Sequence, residues 1–207
     1  MSFKPKPTSN QPLIPAGLHR AICYSIIDLG TQKTSYEGQD TGWKEQINIT
    51  FELPEVRGTF KDADGNEVDK PRVVGKTYTL SFYSEAALAK LYLAWQGKEL
   101  KSEKQIPPLL GENCQVMMAH KTNKDGSLKS KMVSITPLSG NMEIMKPENP
   151  MVIYEIEQGE PPAHLPNWMK EEIKKSREFQ AMSDNAQELP CDYNGSEPTP
   201  GDDIPWE

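Results

Sequence analysis

Lysine, arginine and aromatic side chains recur together in the segments that flank the predicted strands of this 207-residue chain. Proteins that bind single-stranded nucleic acid need cations along the phosphates and flat aromatic faces on which bases stack. A stacked base contributes about 1–3 kcal/mol, so a few aromatic faces are enough to matter. The candidate nucleic-acid-binding residues are Lys33, Tyr36, Trp43, Lys44, Arg57, Phe60, Lys61, Arg72, Lys76, Lys121, Lys124, Lys129 and Lys131. Lys70 lies in the same segment as Arg72 and Lys76.

The aromatic candidates have a competing interpretation as core residues. Trp43, Tyr78 and Phe82 share strand faces with aliphatic residues, so burial in the core is favoured for all three. Tyr36 and Phe60 stand in polar segments, where stacking and burial are both open interpretations. Single lysines beside a hairpin are more typical of a solvated edge, but their concentration in the connections of one sheet favours a binding surface.

Charge is distributed unevenly along the chain. Residues 183–207 contain seven Asp and Glu residues and no Lys or Arg. Removing them from the 30 acids leaves 23, equal to the 23 Lys and Arg, so the net charge of -7 belongs to this segment. A body without net charge is compatible with an anion-binding surface. The segment ends in "DDIPWE" (202–207), whose tryptophan has no predicted element to pack into.

Other site chemistry has little support in the sequence. "DADGNE" (62–67) resembles a calcium loop, but its glycine is at the fourth position and no glutamate stands at the twelfth, which favours a plain turn. His19 and Cys23 are four residues apart without a second pair, which argues against zinc. The histidines lack a nucleophile motif, and no Walker lysine or GxSxG is present. We therefore expect no enzymatic activity and no cofactor.

Cysteine usage and hydropathy indicate the compartment. Cys23, Cys114 and Cys191 form neither a CxxC pair nor a disulfide framework, which favours a reducing cytosol. Residues 1–17 lack the apolar centre of a signal peptide, and no apolar run approaches the length of a membrane span. We expect a cytoplasmic protein that does not contact a membrane.

The elements that must position these side chains follow from periodicity and turn residues. Alternation over 43–54 is typical of a half-buried strand. Five strands are predicted at 18–30, 43–54, 76–83, 112–122 and 128–138, with a helix between Ser84 and Gly97. Connections are predicted at 31–42, at 55–75 with a tight Asp64-Gly65 turn, and at 123–126 with an Asp-Gly hairpin. A helix between the third and fourth strands predicts a mainly β fold, the five-stranded antiparallel OB-fold barrel.

Four regions follow from this pattern. The first is a flexible basic arm at 1–17, and the second is the OB-fold domain at 18–138. A wrapping segment and a C-terminal helix occupy 139–182, and within it the helix at 165–182 has Trp168, Ile173 and Phe179 as apolar positions. A disordered acidic tail at 183–207 is indicated by its charge and its Pro, Gly, Ser and Asn content.

An OB-like body, an acidic linker and a final "DDIPW" together resemble single-stranded DNA-binding proteins of bacteria and phages. The body is more similar to the phage-encoded group, on "IPAGLHRA", "KTYTLSFY" and "LPNWMKEEIKKSREF", over residues 13–182. Family members end in Asp residues followed by Ile-Pro-Phe. This chain departs from that pattern, because it has Trp in place of Phe and Glu207 after it.

The resemblance implies sequence-independent binding and protection of single-stranded DNA in phage replication, recombination and repair, in the cytoplasm of a bacterial host. It also implies that the tip binds replication and recombination proteins and competes with DNA for the basic groove. Asp202 and Asp203 would then attract basic partner residues, Ile204 and Pro205 would shape the tip, and Trp206 would be the anchor.

Two alternatives stay open at this point. The chain could be an adaptor that presents its tail to partner proteins and has little affinity for DNA. A nuclease or hydrolase is disfavoured, because the sequence has no carboxylate cluster at metal-binding spacing. The number of chains in the assembly is also open, with a homo-oligomer as one alternative.

Overall fold

A computed structural model describes residues 12–36, 38–61, 64–123 and 126–187. The fold is mainly β, with one six-stranded sheet and a few helices. The strands are β1 (Gly17–Tyr36), β2 (Gln39–Lys61), β3 (Glu67–Thr79), β4 (Asn113–Thr122), β5 (Leu128–Pro137) and β6 (Val152–Tyr154). The helices are α1 (Ala87–Gln96), α2 (Asn167–Lys175) and α3 (Arg177–Gln187), with short 3-10 turns at Glu103–Gln105, Pro107–Leu109 and Ile156–Gln158.

The sheet follows the order β3-β2-β1-β4-β5 with antiparallel neighbours. β6 runs parallel to β1 and pairs with Ser25, Ile26 and Ile27, just beyond the residues of β1 that pair with β4. In the part of the chain that is described, β3 and β5 form no ladder with each other. The sheet is therefore open between these two strands, along what we call the seam, and the closed barrel expected from the sequence is not established.

Two hydrophobic clusters lie on opposite sides of β1. The larger cluster joins the five long strands to α1 and includes a contact between the Phe51 and Trp95 rings, whose centroids are 5.4 Å apart. The smaller cluster joins Ile27 and Leu29 of β1 to Met169 and Ile173 of α2. These contacts hold α2 against the side of β1 that faces away from the larger cluster. No helix among the described residues has the length and apolar character of a membrane span.

β1 and β2 are longer than the sequence predicted, and the predicted loop at 31–42 is wrong. β1 continues to Tyr36 and β2 begins at Gln39. Gly30 was expected to end the first strand, but it forms an irregularity in the β1–β2 ladder with φ +67°. A Cβ at this position would lie 2.7 Å from atoms of Ile156 and Ser176, so only glycine fits. Pro54 likewise lies in an irregularity of the β2–β3 ladder rather than at a strand end.

The middle of β2 is buried on both faces, so its prediction as a half-buried strand is wrong. Ile47, Ile49, Phe51 and Leu53 enter the larger cluster as predicted, but Asn48, Thr50 and Glu52 on the polar face are buried as well. The fully buried Glu52 carboxylate accepts hydrogen bonds from the backbone N–H groups of residues 148 and 149 and from the Asn149 side chain, at 2.6–2.9 Å. A segment nearly one hundred residues away therefore covers this face.

The predicted strand at 76–83 is displaced towards its N-terminal side. β3 spans Glu67–Thr79 and pairs with residues 46–61 of β2, which forms the ribbon expected around Asp64-Gly65. Tyr78 is buried as expected, whereas Phe82 lies beyond the strand and is 41% exposed, so its core interpretation is wrong. α1 begins at Ala87 rather than just after Ser84, and it ends at Gly97 in the left-handed conformation, as expected.

The predicted helix at 165–182 is two helices that meet at Ser176. The Ser176 hydroxyl donates to the Ile173 carbonyl oxygen at the end of α2 and accepts from the Phe179 N–H at the start of α3. α3 continues to Gln187, so residues 183–187, which were assigned to the disordered tail, are helical. The rest of the acidic tail lies outside the described residues.

Candidate nucleic-acid interface

Four of the lysines selected from the sequence line one groove at the seam between β3 and β5. This groove, which we call the cationic groove, has a volume of about 370 Å³ and contains Lys76, Lys121, Lys129 and Lys131. All four side chains are exposed. None of them forms a salt bridge within the described ranges of the chain. The groove therefore presents four positive charges that form no ion pair with a carboxylate of the described residues.

The β4–β5 hairpin explains why three of these lysines lie together. Lys121 and Lys129 are opposite each other in the ladder, and Lys131 is opposite Ala119. The alternate positions include Met118 and Met132, which are buried in the larger cluster. The period of two therefore directs all three lysines to the other face of the hairpin. Like charges in adjacent positions of a sheet are unfavourable, and an anion between them would relieve the repulsion.

Lys76 reaches the same groove from β3. It alternates with Gly75 and Thr77 and shares its strand face with Val74 and Tyr78, which contact the core. Its ammonium lies 4.8 Å from the centre of the Tyr78 ring, a cation–π contact that fixes the side chain near the strand edge.

Residues 12–14 cross the seam beside the cationic groove. The Arg72 guanidinium donates to the Pro12 carbonyl oxygen at 2.7 Å, and the Ile14 N–H donates to the Ser130 hydroxyl at 2.8 Å. His120 is also hydrogen-bonded to the Ile14 carbonyl oxygen. Arg72, another predicted site residue, thus uses part of its guanidinium to anchor the chain, and it is not among the residues that line the cationic groove.

Two other predicted cations are neutralised within the fold. Arg57 forms ion pairs with Asp69 and Glu148, which join β2 to β3 and to the segment that covers β2. Lys33 pairs with Asp40 across the β1–β2 hairpin at 3.0 Å. Lys44 and Lys61 are exposed on β2 opposite Gln32 and Glu67, away from the lining of the cationic groove.

The predicted aromatic platforms are not gathered at the groove. Trp43 is 45% exposed, so its core interpretation is wrong, and the Arg177 guanidinium carbon lies 4.7 Å from its ring centre. Phe60 is half-buried on β2 opposite Val68. Tyr36 pairs with Gln39 through its backbone, and its side chain lies outside the described part of the structure.

A second cavity adjoins the cationic groove and contains an aromatic residue that the sequence did not indicate as a binding residue. This outer cavity, of about 550 Å³, lies between the polar face of β2–β3 and the start of α2, and Trp168, His164 and Lys70 are among its lining residues. Helical periodicity placed Trp168, Ile173 and Phe179 on the apolar face; Ile173 is buried and Phe179 packs against the smaller cluster as expected, but Met169 rather than Trp168 is buried. The sequence did contain a sign that Trp168 faces solvent. Glu171 and Glu172 follow it by three and four positions and therefore share its face of the helix.

A third cavity carries the opposite charge. This acidic cavity, of about 510 Å³, includes Asp28, Glu45, Glu103, Glu155 and Glu157. Burial, followed by repulsion from Glu157 and Glu178, raises the pKa of Asp28, although hydrogen bonds from the Gly30 and Ile156 N–H groups oppose the shift. Burial and neighbouring carboxylates likewise raise the pKa of Glu45. Over the described ranges, no group of three or more His, Cys, Asp or Glu side chains is placed to hold a metal ion.

Two of the three cysteines are buried free thiols, Cys23 and Cys114. Burial raises the pKa of Cys23 to about 12 and that of Cys114 further, so both are thiols rather than reactive thiolates at neutral pH. Lys124 and the tip residues Asp202, Asp203, Ile204, Pro205 and Trp206 lie outside the described residues.

No protein-family model matches this chain, and no curated protein matches it either.

Proposed function

We propose that the chain binds single-stranded DNA without sequence preference and that the cationic groove is the centre of its binding surface. The observation that carries this proposal is the convergence of Lys76, Lys121, Lys129 and Lys131 on one groove without described carboxylate partners. Cations along a groove bind phosphates in every sequence alike, which gives affinity without base specificity.

The strand order supports the same proposal. We assign the five long strands to an OB-type barrel in which β3 and β5 face each other across the seam, with α1 between the third and fourth strands. OB folds commonly bind oligonucleotides, although a fold alone does not determine function. In this arrangement the cationic groove follows the line along which the barrel would close.

The acidic tail belongs to the proposal as a second binding element. We assign Asp202 and Asp203 to electrostatic contact with replication or recombination proteins, and Trp206 to an apolar pocket on them. Ile204 and Pro205 shape the tip between them. Because the tail carries the whole net charge, it also competes with DNA for the cationic groove. We therefore assign the protein to phage DNA replication, recombination and repair within a bacterial cell, with no enzymatic step of its own.

Binding to fluorescently labelled oligo-dT tests the proposal, with full-length protein and with a variant that ends at Gln187. The truncation is placed there because α3 extends to that residue. We expect salt-dependent binding by both proteins and equal or tighter binding by the truncated one. Failure of both to bind at low salt contradicts the proposal. That result, combined with capture of replication proteins by the full-length chain alone, supports the adaptor function instead.

A further inference from the structure

The outer cavity begins where the cationic groove ends. Gly75 and Lys76 of β3 line both spaces, so the two join across this edge strand. Lys76 lies on the core-side face of β3, and its long side chain at the strand edge borders both cavities. A ligand that leaves Lys121, Lys129 and Lys131 along the groove can therefore pass over Gly75 into the outer cavity.

Where the two spaces join, Gly75 allows the backbone of β3 to lie close to the floor of the outer cavity. A Cβ at position 75 would lie 2.8 Å from the Thr50 hydroxyl oxygen and 3.3 Å from the Asn48 amide oxygen. The backbone of β3 thus approaches the polar floor of the cavity more closely than a side chain would permit. Gly75 itself has no side chain that could project between the two spaces.

The floor of the outer cavity is polar and ordered. The Thr50 hydroxyl donates to the Asn48 amide oxygen at 2.8 Å, and the Asn48 amide nitrogen donates to the Thr77 hydroxyl at 3.1 Å. Asn48 and Thr50 are buried, so these bonds order the floor from below rather than face a ligand. Thr77 is exposed, which makes its hydroxyl the most accessible polar group of this floor.

Trp168 supplies the apolar face of the same cavity. It is 48% exposed although it belongs to a helix whose Met169 and Ile173 are buried against the sheet. The indole is therefore carried by a fixed element but does not contribute its full surface to the core. Flat aromatic faces of this kind accept nucleobases regardless of sequence.

Two lysines line the outer cavity together with Trp168. Lys70 and Lys76 are exposed and have no salt-bridge partner in the part of the chain that the structure describes. A nucleotide needs an aromatic face for its base and a cation for its phosphate, and this cavity contains both. Its volume of about 550 Å³ falls within the range of roughly 300–1,000 Å³ that is usual for small-ligand sites.

We infer that the outer cavity is a base-stacking subsite in which a nucleotide of the bound single strand stacks on Trp168 while Lys70 and Lys76 contact its phosphates. This inference rests on the proposed function, because it describes where the strand goes after it leaves the cationic groove. The subsite supplies the aromatic platform that the groove itself lacks. It also gives α2 and the segment around Asn149 and Pro150, which line the cavity, a role in DNA binding.

Substitution of Trp168 in the full-length chain tests the subsite by oligo-dT titration over a range of salt concentrations. We expect Trp168→Ala to weaken binding about 5- to 150-fold, the loss that corresponds to one stacked base, with an unchanged salt dependence. Trp168→Phe keeps a stacking face and retains most of the affinity. Tyr83→Ala is the control, because Tyr83 is 69% exposed but lines neither the groove nor the outer cavity.

Photocrosslinking gives a second readout that needs no substitution. Oligo-dT containing 4-thiothymidine is irradiated with the wild-type chain, and an adduct on the peptide that contains Trp168 supports the subsite. Wild-type affinity in Trp168→Ala, or adducts confined to other peptides, overturns the subsite and leaves the proposed function intact. Absence of oligo-dT binding by the wild-type chain overturns both.

Discussion

The cationic groove and the acidic cavity differ in what their charged groups do for the fold. In the acidic cavity, the Asp28 carboxylate accepts hydrogen bonds from the Gly30 and Ile156 N–H groups, so it fixes the irregularity in β1 and the segment after β6. In the cationic groove, Lys121, Lys129 and Lys131 form no salt bridge with any residue that the structure describes. Asp28 thus contributes hydrogen bonds to the fold, whereas these lysines form no ion pair within the described residues.

This difference also changes how the charge of the body is understood. Acids and bases balance over residues 1–182, which suggests a surface without preference for anions. The structure separates the two signs instead, with lysines at the β3–β5 seam and carboxylates in the cavity beside β1 and β6. A separated pair of charged regions steers a polyanion towards one face and away from the other.

Charge reversal in the cationic groove has the largest expected effect. The triple variant Lys121→Glu, Lys129→Glu, Lys131→Glu should bind oligo-dT at least about 100-fold more weakly, because three phosphate contacts become repulsive. Fluorescence anisotropy at fixed low salt measures the loss, and thermal melting checks that the fold is retained.

The matched control reverses three lysines that do not line the cationic groove. The variant Lys98→Glu, Lys101→Glu, Lys104→Glu makes the same change in net charge, and Lys104 lines the acidic cavity. We expect its affinity to fall less than about tenfold, the part that comes from net charge alone. Equal losses in the two triple variants would remove the distinction between the two regions.

Glu52 provides the largest expected effect on stability. Glu52→Ala removes the acceptor of three hydrogen bonds and leaves the donors of residues 148 and 149 without it, which should cost about 2–3 kcal/mol. Glu55→Ala is the control, because Glu55 pairs with Arg20 at the surface and such pairs contribute about 0–1 kcal/mol. Urea denaturation compares the two variants. A Glu52→Ala loss no greater than that of Glu55→Ala would show that this carboxylate does not hold residues 148 and 149 against β2.

Arg57 tests whether a cation that is already paired with carboxylates contributes less to oligo-dT affinity than the lysines of the cationic groove do. Its ion pairs with Asp69 and Glu148 already occupy the guanidinium, so Arg57→Gln should change oligo-dT affinity less than about threefold. The comparison is with the single variant Lys129→Gln in the same titration, for which about a tenfold loss is expected. A larger loss for Arg57→Gln would extend the binding surface to the β2–β3 ribbon.

The smallest expected effect concerns pH and the acidic cavity. Folding raises the pKa of Glu45 through burial and nearby carboxylates, so ionisation of this group opposes folding once the pH rises above its unfolded pKa of about 4.3. Glu45→Gln removes that opposition. We expect its Tm to exceed that of the wild type by no more than about 2 °C at pH 7, and to equal it near pH 4. A lower Tm at pH 7 would mean that the carboxylate stabilises the fold.

The sequence predicted the order of the five long strands along the chain and the hairpin lysines, because both depend on local signals, but it did not predict β6. The period-two alternation is sufficient to place Lys121, Lys129 and Lys131 on one face of the hairpin, and in the ladder Lys121 is opposite Lys129. The burial of Glu52 could not be predicted in this way. Its polar strand face is typical of a solvated surface, and the residues that cover it, 148 and 149, are distant in the sequence.

The aromatic residues were harder to place than the cations. Alternation along β2 associated Trp43 with the core, but it cannot indicate where a long strand extends past the core. In the same way, helical spacing alone did not distinguish Trp168 from Met169, because the two differ by one position in the turn that packs on the sheet. The packing of α2 against β1 decides which of them is buried.

The salt dependence of oligo-dT binding tests the central claim most directly. Each phosphate contact on a single strand contributes a slope of about -0.7 to a plot of log affinity against log salt concentration. The neutral variant Lys121→Gln, Lys129→Gln, Lys131→Gln should therefore give a slope about 2 units shallower than the wild type, while Lys98→Gln, Lys101→Gln, Lys104→Gln leaves it unchanged. An unchanged slope in the first variant, or an equal change in both, would contradict the assignment of the cationic groove as the DNA-binding surface.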